Sequence, residues 1–554
     1  MHNIETAFIS CSITFALLPA LASEPGEVLY NGIVLPSEWP PGHVQMQDFN
    51  DQKVLPEPPY LKSPPEIIPI DVGRQMFVDD FLIEKTTLKR CFHRPEYHEA
   101  NPVFSRMAYS GGAWYDPQDG LFKLWYNTGG VGLTTSEDGI HWTSPTIVTS
   151  QNVHSTIVWL DHDSEYPGKR FKLIYSRIQS GECNYWISYS PDGVQWSDPR
   201  DTQALCGDRS SAFYNPFRKV WVFSLRHGWG VPRARRYWEM RDLEEGPYWG
   251  KDRDPHYAYF WVGADKLDPM WDEIRIAPQL YNLDAAPYES LMLGLFTIWR
   301  GDTRSKIMEN PPTAKAREWQ EQERPKINEI CLGYSRDGWH WSRPDRQAFL
   351  SVSADTEAWN FGNVQSVGGC CLVVKDQLYF YVSGRHPEGN TTGLAILRRD
   401  GFASMDADDK GGTLTTRLVK FQGRYLFVNV DNTEGDLRVE VLDEEGEVIE
   451  PFSKSNCVPV SADKTLAPVR WKGAADLSGV SGKPVRFRFH LTNGKLYAFW
   501  VSPDTSGASY GYVAAGGPGF SSNRDTVGRP DTVGKSKFTF PPSKTDKYNR
   551  RRKT

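Results

Sequence analysis

Short runs of β-branched and aromatic residues recur along the chain and alternate with turn signals, a pattern typical of a protein built from strands. Four such runs each have the length of one strand and follow a turn signal. They are Leu121–Tyr126, Phe171–Tyr175, Val220–Leu225 and Leu378–Val382. Nearer the C-terminus, the sequence RFRFHL from residue 486 alternates strictly, as a half-buried strand requires. The pattern predicts an all-β fold.

A heptapeptide of the form Ser-x-Asp-Gly-x-x-Trp punctuates these runs. It occurs at 136–142, 190–196 and 335–341, each time with a proline three residues after the tryptophan, and a degraded copy lies at 399–402. Asp-Gly favours a tight hairpin because glycine tolerates positive φ and aspartate caps the turn. The tryptophan can then pack back between neighbouring sheets.

Each repeat, together with the strands before it, forms a unit of about four strands, and such units arranged around an axis are the blades of a β-propeller. We predict five blades, at about 100–148, 149–200, 201–275, 276–347 and 348–405. The fourth contains a polar insertion with a short helix at Ala314–Gln322, and a strand at Gln75–Ile83 is expected to close the ring. The alternative is a β-sandwich with coincidental hairpins, which three near-identical heptapeptides disfavour.

The regions outside the repeats differ in composition. Residues 23–70 are rich in proline and are expected to lie along the surface without a helix, before the propeller at 71–408. Residues 409–515 continue as strands without the heptapeptide and predict a separate C-terminal β-sandwich. Residues 516–554 are polar with a basic end, and we expect a disordered, solvated tail rather than a segment that binds polyanions.

The N-terminus carries an apolar run followed by a small-x-small cleavage pattern, so residues 1–22 are interpreted as a secretory signal and the protein as secreted or periplasmic. A buried N-terminal helix or a misplaced start is the alternative. No later run predicts a membrane span. Loss of the signal leaves seven of eight cysteines, scattered as in a core and without zinc-site spacing, although one or two disulfides remain open.

The net charge of −6 offers no basic surface for nucleic acid. No phosphate loop, dinucleotide fingerprint or serine nucleophile elbow is present, so the sequence predicts no cofactor. It predicts no metal ligands, and a structural metal in the channel is left open. The oligomeric state is left open. What remains distinctive is an aromatic content of 13%, because rings either fill cores or stack on flat ligand faces.

Four acids stand where inner strands of a propeller would begin, and they are the candidate catalytic residues. Asp79 and Asp80 interrupt an apolar strand, and alternation allows only one of them to face the channel. Asp208 precedes the third inner strand beside Arg209, and Glu289 opens an apolar run where burial could raise its pKa for acid catalysis. The alternatives are a turn or ion pair for the aspartates and a solvated strand end for Glu289.

Polar and aromatic residues near the same places are candidates for substrate binding, because amides both donate to and accept from sugar hydroxyls. Trp359 could stack on a sugar ring or fill a core, and His154 could be an ordinary hydrogen-bonded histidine. The predicted binding residues are Asn152, His154, Arg209, Tyr288, Trp359, Asn360, Asn363 and Gln365.

The motifs Phe77–Asp80, Gly207–Arg209 and Tyr288–Glu289, with the Asp-Gly turns, resemble secreted bacterial proteins of the glycoside hydrolase family 32 and 43 superfamily across about 71–515. The resemblance implies a five-bladed propeller whose mouth holds three acids: an aspartate of 79–80 as nucleophile or base, Asp208 as transition-state stabiliser and Glu289 as acid. The Trp-Met-Asn-Asp-Pro-Asn-Gly block of family 32 is absent, so fructan specificity is not implied.

These observations favour a secreted glycoside hydrolase acting on an oligo- or polysaccharide through carboxylate acid/base chemistry. A non-catalytic carbohydrate-binding propeller is the alternative, since the same polar mouth could hold a glycan without cleaving it. A structural envelope protein that uses the sandwich for contacts is the third hypothesis.

Overall fold

The computed structural model describes residues 26–42, 44–108, 110–149, 153–179, 181–226, 232–245, 258–302, 310–369 and 371–528, so the predicted signal segment lies outside it. The described chain is nearly all β. Its α-helices are Met46–Asn50, Pro59–Lys62 and Ala314–Glu321, and its 3-10 turns are Pro167–Lys169 and Leu243–Glu245. The third helix confirms the one predicted in the polar insertion. The longest helix of this part has eight residues, so none can cross a bilayer.

Three antiparallel four-stranded sheets follow one another, each with its strands in sequence order. Sheet A consists of Ala113–Asp116, Leu121–Asn127, Val131–Ser136 and Thr146–Thr149. Sheet B consists of Ser155–Leu160, Phe171–Gln179, Glu182–Ser190 and Arg200–Leu205. Sheet C consists of Ser211–Asn215, Val220–Arg226, Ala234–Met240 and Tyr259–Gly263. The runs predicted as second strands are second strands in all three.

The next two sheets are joined by a parallel bridge between Asn328 and Asn363. Sheet D consists of Gln279–Glu289, Leu291–Gly301 and Ile327–Ser335, with Tyr512–Val513 added at one edge. Sheet E consists of Asn363–Ser366, Leu372–Val374, Gln377–His386 and Gly389–Arg398, and Glu96–Tyr97 pairs with its last strand. The N-terminal side of the chain thus completes the sheet formed last.

Each Asp-Gly turn is closed by its aspartate. Asp138 Oδ1 accepts hydrogen bonds from the backbone N–H groups of Ile140 and His141, both at 2.8 Å, and Asp192 and Asp337 repeat this pattern. The following glycines have φ between 76° and 84°, the left-handed region that a side chain disfavours. The predicted turn chemistry is confirmed.

Each turn also docks onto a neighbouring sheet, where an aromatic side chain donates a hydrogen bond to a backbone carbonyl of the turn. Turn 136–142 contacts sheet E, turn 190–196 contacts sheet A, and turn 335–341 contacts sheet C. The donor–acceptor pairs are Tyr381 Oη to Gly139 O at 2.6 Å, Trp125 Nε1 to Gly193 O at 3.1 Å, and Trp261 Nε1 to Trp339 O at 2.8 Å. Sheets A and E, the first and last of the series, are therefore neighbours.

Two further sheets combine strands from the C-terminal region with strands from residues 75–92. Sheet F consists of Asp463–Pro468, Tyr425–Asp431, Gly494–Ser502, Ala403–Ala407, Lys89–Phe92 and Gln75–Met76. Sheet G consists of Asp436–Leu442, Arg486–Thr492, Gly412–Thr416 and Ile83–Thr86, and Ile68–Pro69 pairs separately with Val419–Lys420. Alternate residues of Arg486–Thr492 are buried, as the RFRFHL pattern predicted, and they share one core with sheet F.

The prediction that Gln75–Ile83 is a strand that closes the ring of sheets is wrong. Gln75–Met76 pairs with sheet F, Ile83–Thr86 pairs with sheet G, and the residues between them form a bend. Phe77, Phe81 and Leu82 lie in the core of sheets F and G, so burial of their apolar side chains directs this segment away from the other sheets. The N-terminal segment that pairs with sheet E is instead Glu96–Tyr97.

Two expectations about the ends of the chain also need correction. The proline-rich region 23–70 contributes two short helices and places Leu35, Tyr60 and Ile70 in the core of sheets F and G. Residues 516–528 are not a disordered tail: Phe520 is buried, and the buried Asp525 pairs with Arg399 at 2.8 Å. Pairing of a buried charge explains why this polar segment is held.

Candidate functional site

The first strands of sheets A to E are linked at one end by side-chain and backbone contacts. Arg209 N donates to Ser155 Oγ at 3.0 Å, and Ser211 Oγ donates to the carbonyl of Leu283 at 2.8 Å, which joins sheets B, C and D. Ser110 N donates to the carbonyl of Ser366 at 3.1 Å, which joins sheets A and E. Polar residues from all five sheets therefore converge here, and this end is called the mouth below.

Asp208 lies at the mouth and is partly open to solvent, with a side chain 33% exposed. Its Oδ1 atom is 3.5 Å from Nδ1 of His154, and its Oδ2 atom is 3.5 Å from a guanidinium nitrogen of Arg226. Asp208 precedes the first strand of sheet C and His154 precedes that of sheet B. The structure thus brings two of the predicted site residues together.

A second carboxylate, Asp284, lies deeper at the same end. It accepts hydrogen bonds from Ser110 Oγ, at 3.2 Å to Oδ2, and from Ser366 Oγ. Asn282 stands two residues earlier on the same face of the strand and donates to Ser110 Oγ at 3.4 Å. Asp284 is 5% exposed and Asn282 is fully buried. Hydroxyls from sheets A and E therefore orient this carboxylate.

Several arginines line the wall beside Asp208. Arg235 is fully buried and donates to the carbonyl of Arg209 at 3.0 Å. Burial, with Arg209 and Arg226 close by, lowers the pKa of Arg235 to about 9. Burial and Arg226 also lower the pKa of Arg233, which lies over the ring of Trp299 at 4.7 Å. Such a wall favours ligands that are polar or negatively charged.

Glu289 is not part of this site. It ends the strand whose Leu283 contacts Ser211, so six residues of extended chain, roughly 20 Å, separate the two places. Its side chain is fully buried, with Arg399 NH2 at 3.0 Å from Oε1 and Ser509 Oγ donating to Oε2 at 2.6 Å. The predicted meeting of Asp208 and Glu289 is therefore wrong, because Glu289 is held by ion pairs with residues distant in sequence.

Glu289 belongs to a buried ionic cluster in which three carboxyls meet two guanidiniums. Arg74 NH1 is 2.9 Å from Asp400 Oδ2, and Arg399 NH2 is 2.8 Å from Asp525 Oδ2. Burial raises the pKa of Glu289 by more than Arg399 and Arg74 lower it. Burial also acts to raise the pKa of Asp400, but Arg74 and Arg399 outweigh it and hold that pKa low.

Tyr288, predicted to bind substrate, lies in the same cluster. It is buried and its hydroxyl donates to Asp400 Oδ1 at 2.6 Å. Burial raises the pKa of Tyr288 well above its usual value. The side chain holds Asp400 in place and does not reach the mouth.

Asp79 and Asp80 lie in the bend between sheets F and G. Asp79 is buried, with Arg336 NH2 at 2.8 Å from Oδ1, while Asp80 is 70% exposed and pairs with Arg90. Asp79 Oδ1 also accepts from the N–H of Phe81 at 3.2 Å, as a turn residue does. The turn and ion-pair interpretation therefore holds for both aspartates, and neither reaches the mouth.

The residues predicted to bind substrate near the start of sheet E have different surroundings in the structure. Trp359 packs on the sheet where Gly384 and Gly393 leave room for its ring, and Asn360 donates to the carbonyl of Ser351 at 3.2 Å, so both stabilise a loop. Asn363 is buried, donates to the carbonyl of Lys326 at 2.8 Å, and accepts from Gln365 at 2.9 Å. Asn152 lies outside the described residues.

The sequence interpretation missed Ser110, Asn282, Asp284, Arg226 and Arg235. A signal for two of them was present: Asn282 and Asp284 are the alternate polar positions of an otherwise apolar strand, NLDAAPY, and thus share one face. The apolar run that follows Glu289 instead favoured Glu289 as the buried acid of the site. Across the described ranges, no group of three His, Cys, Asp or Glu side chains is placed to hold a metal ion.

The sequence matches no described protein family and no curated protein. Among solved structures, it is similar to one described for the GH130 family of mannoside phosphorylases, with 14% identity and a TM-score of 0.38 over 60% of this chain and 99% of the other. A glycosyl hydrolase from Bacteroides ovatus shares 12% identity, with a TM-score of 0.34 over 59% and 97%. A fructofuranosidase from Schwanniomyces occidentalis shares 13% sequence identity, with a TM-score of 0.32 over 74% of this chain and 97% of the other.

All three similar structures are named for carbohydrate-active enzymes, the class that the sequence motifs resemble. Their identities and TM-scores are low, and they assign no role to any residue of this chain.

Proposed function

We propose that the protein is a secreted glycoside hydrolase that binds an oligo- or polysaccharide at the mouth, with Asp208 and Asp284 as its working carboxylates. One observation carries the proposal: a partly exposed and a buried carboxylate stand at one end of the sheets, among hydroxyl, amide and guanidinium groups. Hydroxyl and amide groups of this kind suit hydrogen bonding to sugars.

The architecture in this proposal is a ring of five blades, sheets A to E, followed by a sandwich of sheets F and G. The ring is supported by the docking of turn 136–142 on sheet E and by the pairing of Glu96–Tyr97 with the same sheet, since both connect the first and last members. The sandwich is supported by the single apolar core that sheets F and G share.

The two carboxylates differ in their surroundings, as acid/base glycosidases require. Asp208 is in contact with solvent at the open part of the mouth, which suits the carboxyl that faces the leaving oxygen of a bound glycan. Asp284 is buried and oriented by two serine hydroxyls, which suits a fixed negative charge beside the cationic sugar of the transition state.

The test compares Asp208→Asn and Asp284→Asn with Asp198→Asn, an exposed aspartate away from the mouth. A panel of neutral and charged glycans is screened for binding and hydrolysis with the wild type. On any hydrolysed glycan, each mouth variant is expected to lose about 100-fold or more in kcat with its affinity kept within a few-fold, while Asp198→Asn matches wild type. Equal turnover by all variants would refute the assignment.

The rival function is carbohydrate binding without cleavage, and the burial of Glu289 favours it, because this removes the acid that the motifs implied. It predicts that some glycans bind but none is hydrolysed, and that Asp208→Asn weakens binding. A protein with no glycan affinity at all would instead support a structural role in the envelope.

Export is part of the proposal and is supported by the apolar run at 7–22 and its small-x-small end. Expression of the full chain with its own N-terminus, followed by N-terminal sequencing of the recovered protein, tests it. A mature protein that begins at Ser23 is expected, and an uncleaved chain retained in the cytoplasm would contradict it.

A further inference from the structure

Two cysteines face each other across neighbouring strands of sheet B. Asn184 is paired with Leu205, so Cys183 and Cys206 occupy the next pair of positions, and Cys206 N donates to the carbonyl of Cys183 at 2.8 Å. Opposed residues of antiparallel strands have Cα atoms about 4.5 to 5.5 Å apart, within the range that a disulfide spans. Their sulfur atoms are 3.7 Å apart, so the structure holds them as adjacent thiols.

The pair borders the mouth. Cys206 stands two residues before Asp208. The thiol of Cys183 lies close enough to His154, Ser176 and Asp208 for all three to affect its pKa. Cys183 is half-buried and Cys206 is buried, so a reagent from solvent meets Cys183 first. By contrast, Cys331 is fully buried and its Sγ atom contacts Arg300 and a backbone carbonyl.

We propose that Cys183 and Cys206 form a disulfide that ties the segment carrying Asp208 to the adjacent strand. The proposal rests on the geometry of sheet B and does not depend on the enzymatic function. Closing the cross-link requires the sulfurs to approach to about 2.05 Å, a movement of under 2 Å that side-chain rotation can supply.

The oxidant is a small-molecule disulfide, and the exchange balances in two steps. The Cys183 thiolate attacks one sulfur of the oxidant, forms a mixed disulfide and releases one thiolate, which takes up a proton. Cys206 then loses its proton to solvent and attacks the Cys183 sulfur, which forms the protein disulfide and releases the second thiolate. Two protein thiols are oxidised and one disulfide is reduced to two thiols.

The order of attack has an electrostatic basis. The hydrogen bond from Cys206 lowers the pKa of Cys183 to about 7; burial opposes this effect, and His154 and Ser176 add to it. Burial raises the pKa of Cys206. Cys183 is therefore the attacking thiolate near neutral pH and Cys206 the resolving thiol.

Full-length protein, reduced and then incubated with oxidised glutathione, is alkylated and mapped by peptide mass spectrometry. The expected result is one reductant-sensitive peptide pair that links residues 183 and 206, lighter by two hydrogens than the separate thiols. The initial rate of its formation is expected to increase steeply as the pH rises through about 7, following ionisation of Cys183.

Cys331→Ser is the matched control and should leave the 183–206 link intact, whereas Cys206→Ser should trap glutathione on Cys183. Recovery of Cys183 and Cys206 both alkylated after oxidation, or a link from either one to a different cysteine, would overturn the proposal. The peptide map of the wild-type protein tests the disulfide even where a variant fails to fold.

Discussion

The strand Gln279–Glu289 carries two acids in different surroundings, Asp284 at its middle and Glu289 at its end. At the mouth, Asp284 accepts hydrogen bonds from two serines. Asp284 and the partly exposed Asp208 both lie close enough to Arg235 to influence its pKa. At the far end, Glu289 is enclosed by Arg74, Arg399 and Ser509 with no exposed atom. Asp284 has hydroxyl partners only, whereas Glu289 joins sheets D, E and F through ion pairs.

The two acids differ in whether their hydrogen-bond partners carry a charge. Serine hydroxyls orient a carboxylate without neutralising it, so its charge remains available to a ligand. Guanidiniums in a dry interior pair with the carboxyl group and fix it, so Glu289 is not available to a ligand. The partners of an acid therefore tell more about its role than its position at a strand end does.

The largest effect is expected from Arg399→Met, which leaves Glu289 and Asp525 buried without their shared cation. Breaking a buried ion pair by removing one partner costs about 3–5 kcal/mol, and urea unfolding measures the loss. The matched control is Arg94→Met, whose pair with Asp345 lies at the surface and contributes no more than about 1 kcal/mol. Similar losses in the two variants would contradict the cluster's structural role.

A smaller effect, visible as a pH dependence, is expected from Glu289→Gln. Because the folded-state pKa of Glu289 is raised above the unfolded value, the folded protein binds the extra proton. This contribution to stability is complete below the unfolded pKa of about 4.5 and is lost as the pH rises through the folded pKa. Between pH 5 and 8, the wild type should therefore lose stability relative to the glutamine variant, which cannot ionise.

Asp400 does not disturb this comparison. Its pKa is lowered, so its contribution is gained above an unfolded pKa of about 3.8 and is already complete at pH 5. Ser211→Ala, at the other end of the same sheets and without a titrating group, provides the control, and its stability difference from wild type should stay level. A level difference for Glu289→Gln as well would show that Glu289 is ionised throughout the range.

The fold was largely readable from the sequence because its signals are local. Alternation, the β-rich runs and the Asp-Gly turns each depend on residues within one hairpin, and the structure confirms them at Leu121–Asn127, Val220–Arg226 and the three turns. The strand that completes sheet E was not readable, because Glu96–Tyr97 is only two residues long and pairs with a strand about 300 residues away.

The site was only partly readable. Asp208 and His154 each precede a first strand, and strand order alone placed them at one end. Asp284 was missed because it lies inside a strand, and Glu289 was misassigned because its partners come from positions 74, 399 and 509. Pairings over such separations leave no local pattern, so only a folded chain reveals them.

The smallest effect is expected from Asp80→Asn, and it tests whether Phe77–Asp80 carries chemistry. Asp80 is 70% exposed, so loss of its pair with Arg90 should cost no more than about 1 kcal/mol in urea unfolding and leave turnover unchanged. Asp79→Asn is the paired comparison, because it leaves Arg336 buried without its carboxylate and should destabilise the fold more. A loss of turnover in Asp80→Asn at wild-type stability would mean that the acid of this bend takes part in catalysis, and the mouth alone could not then be the active site.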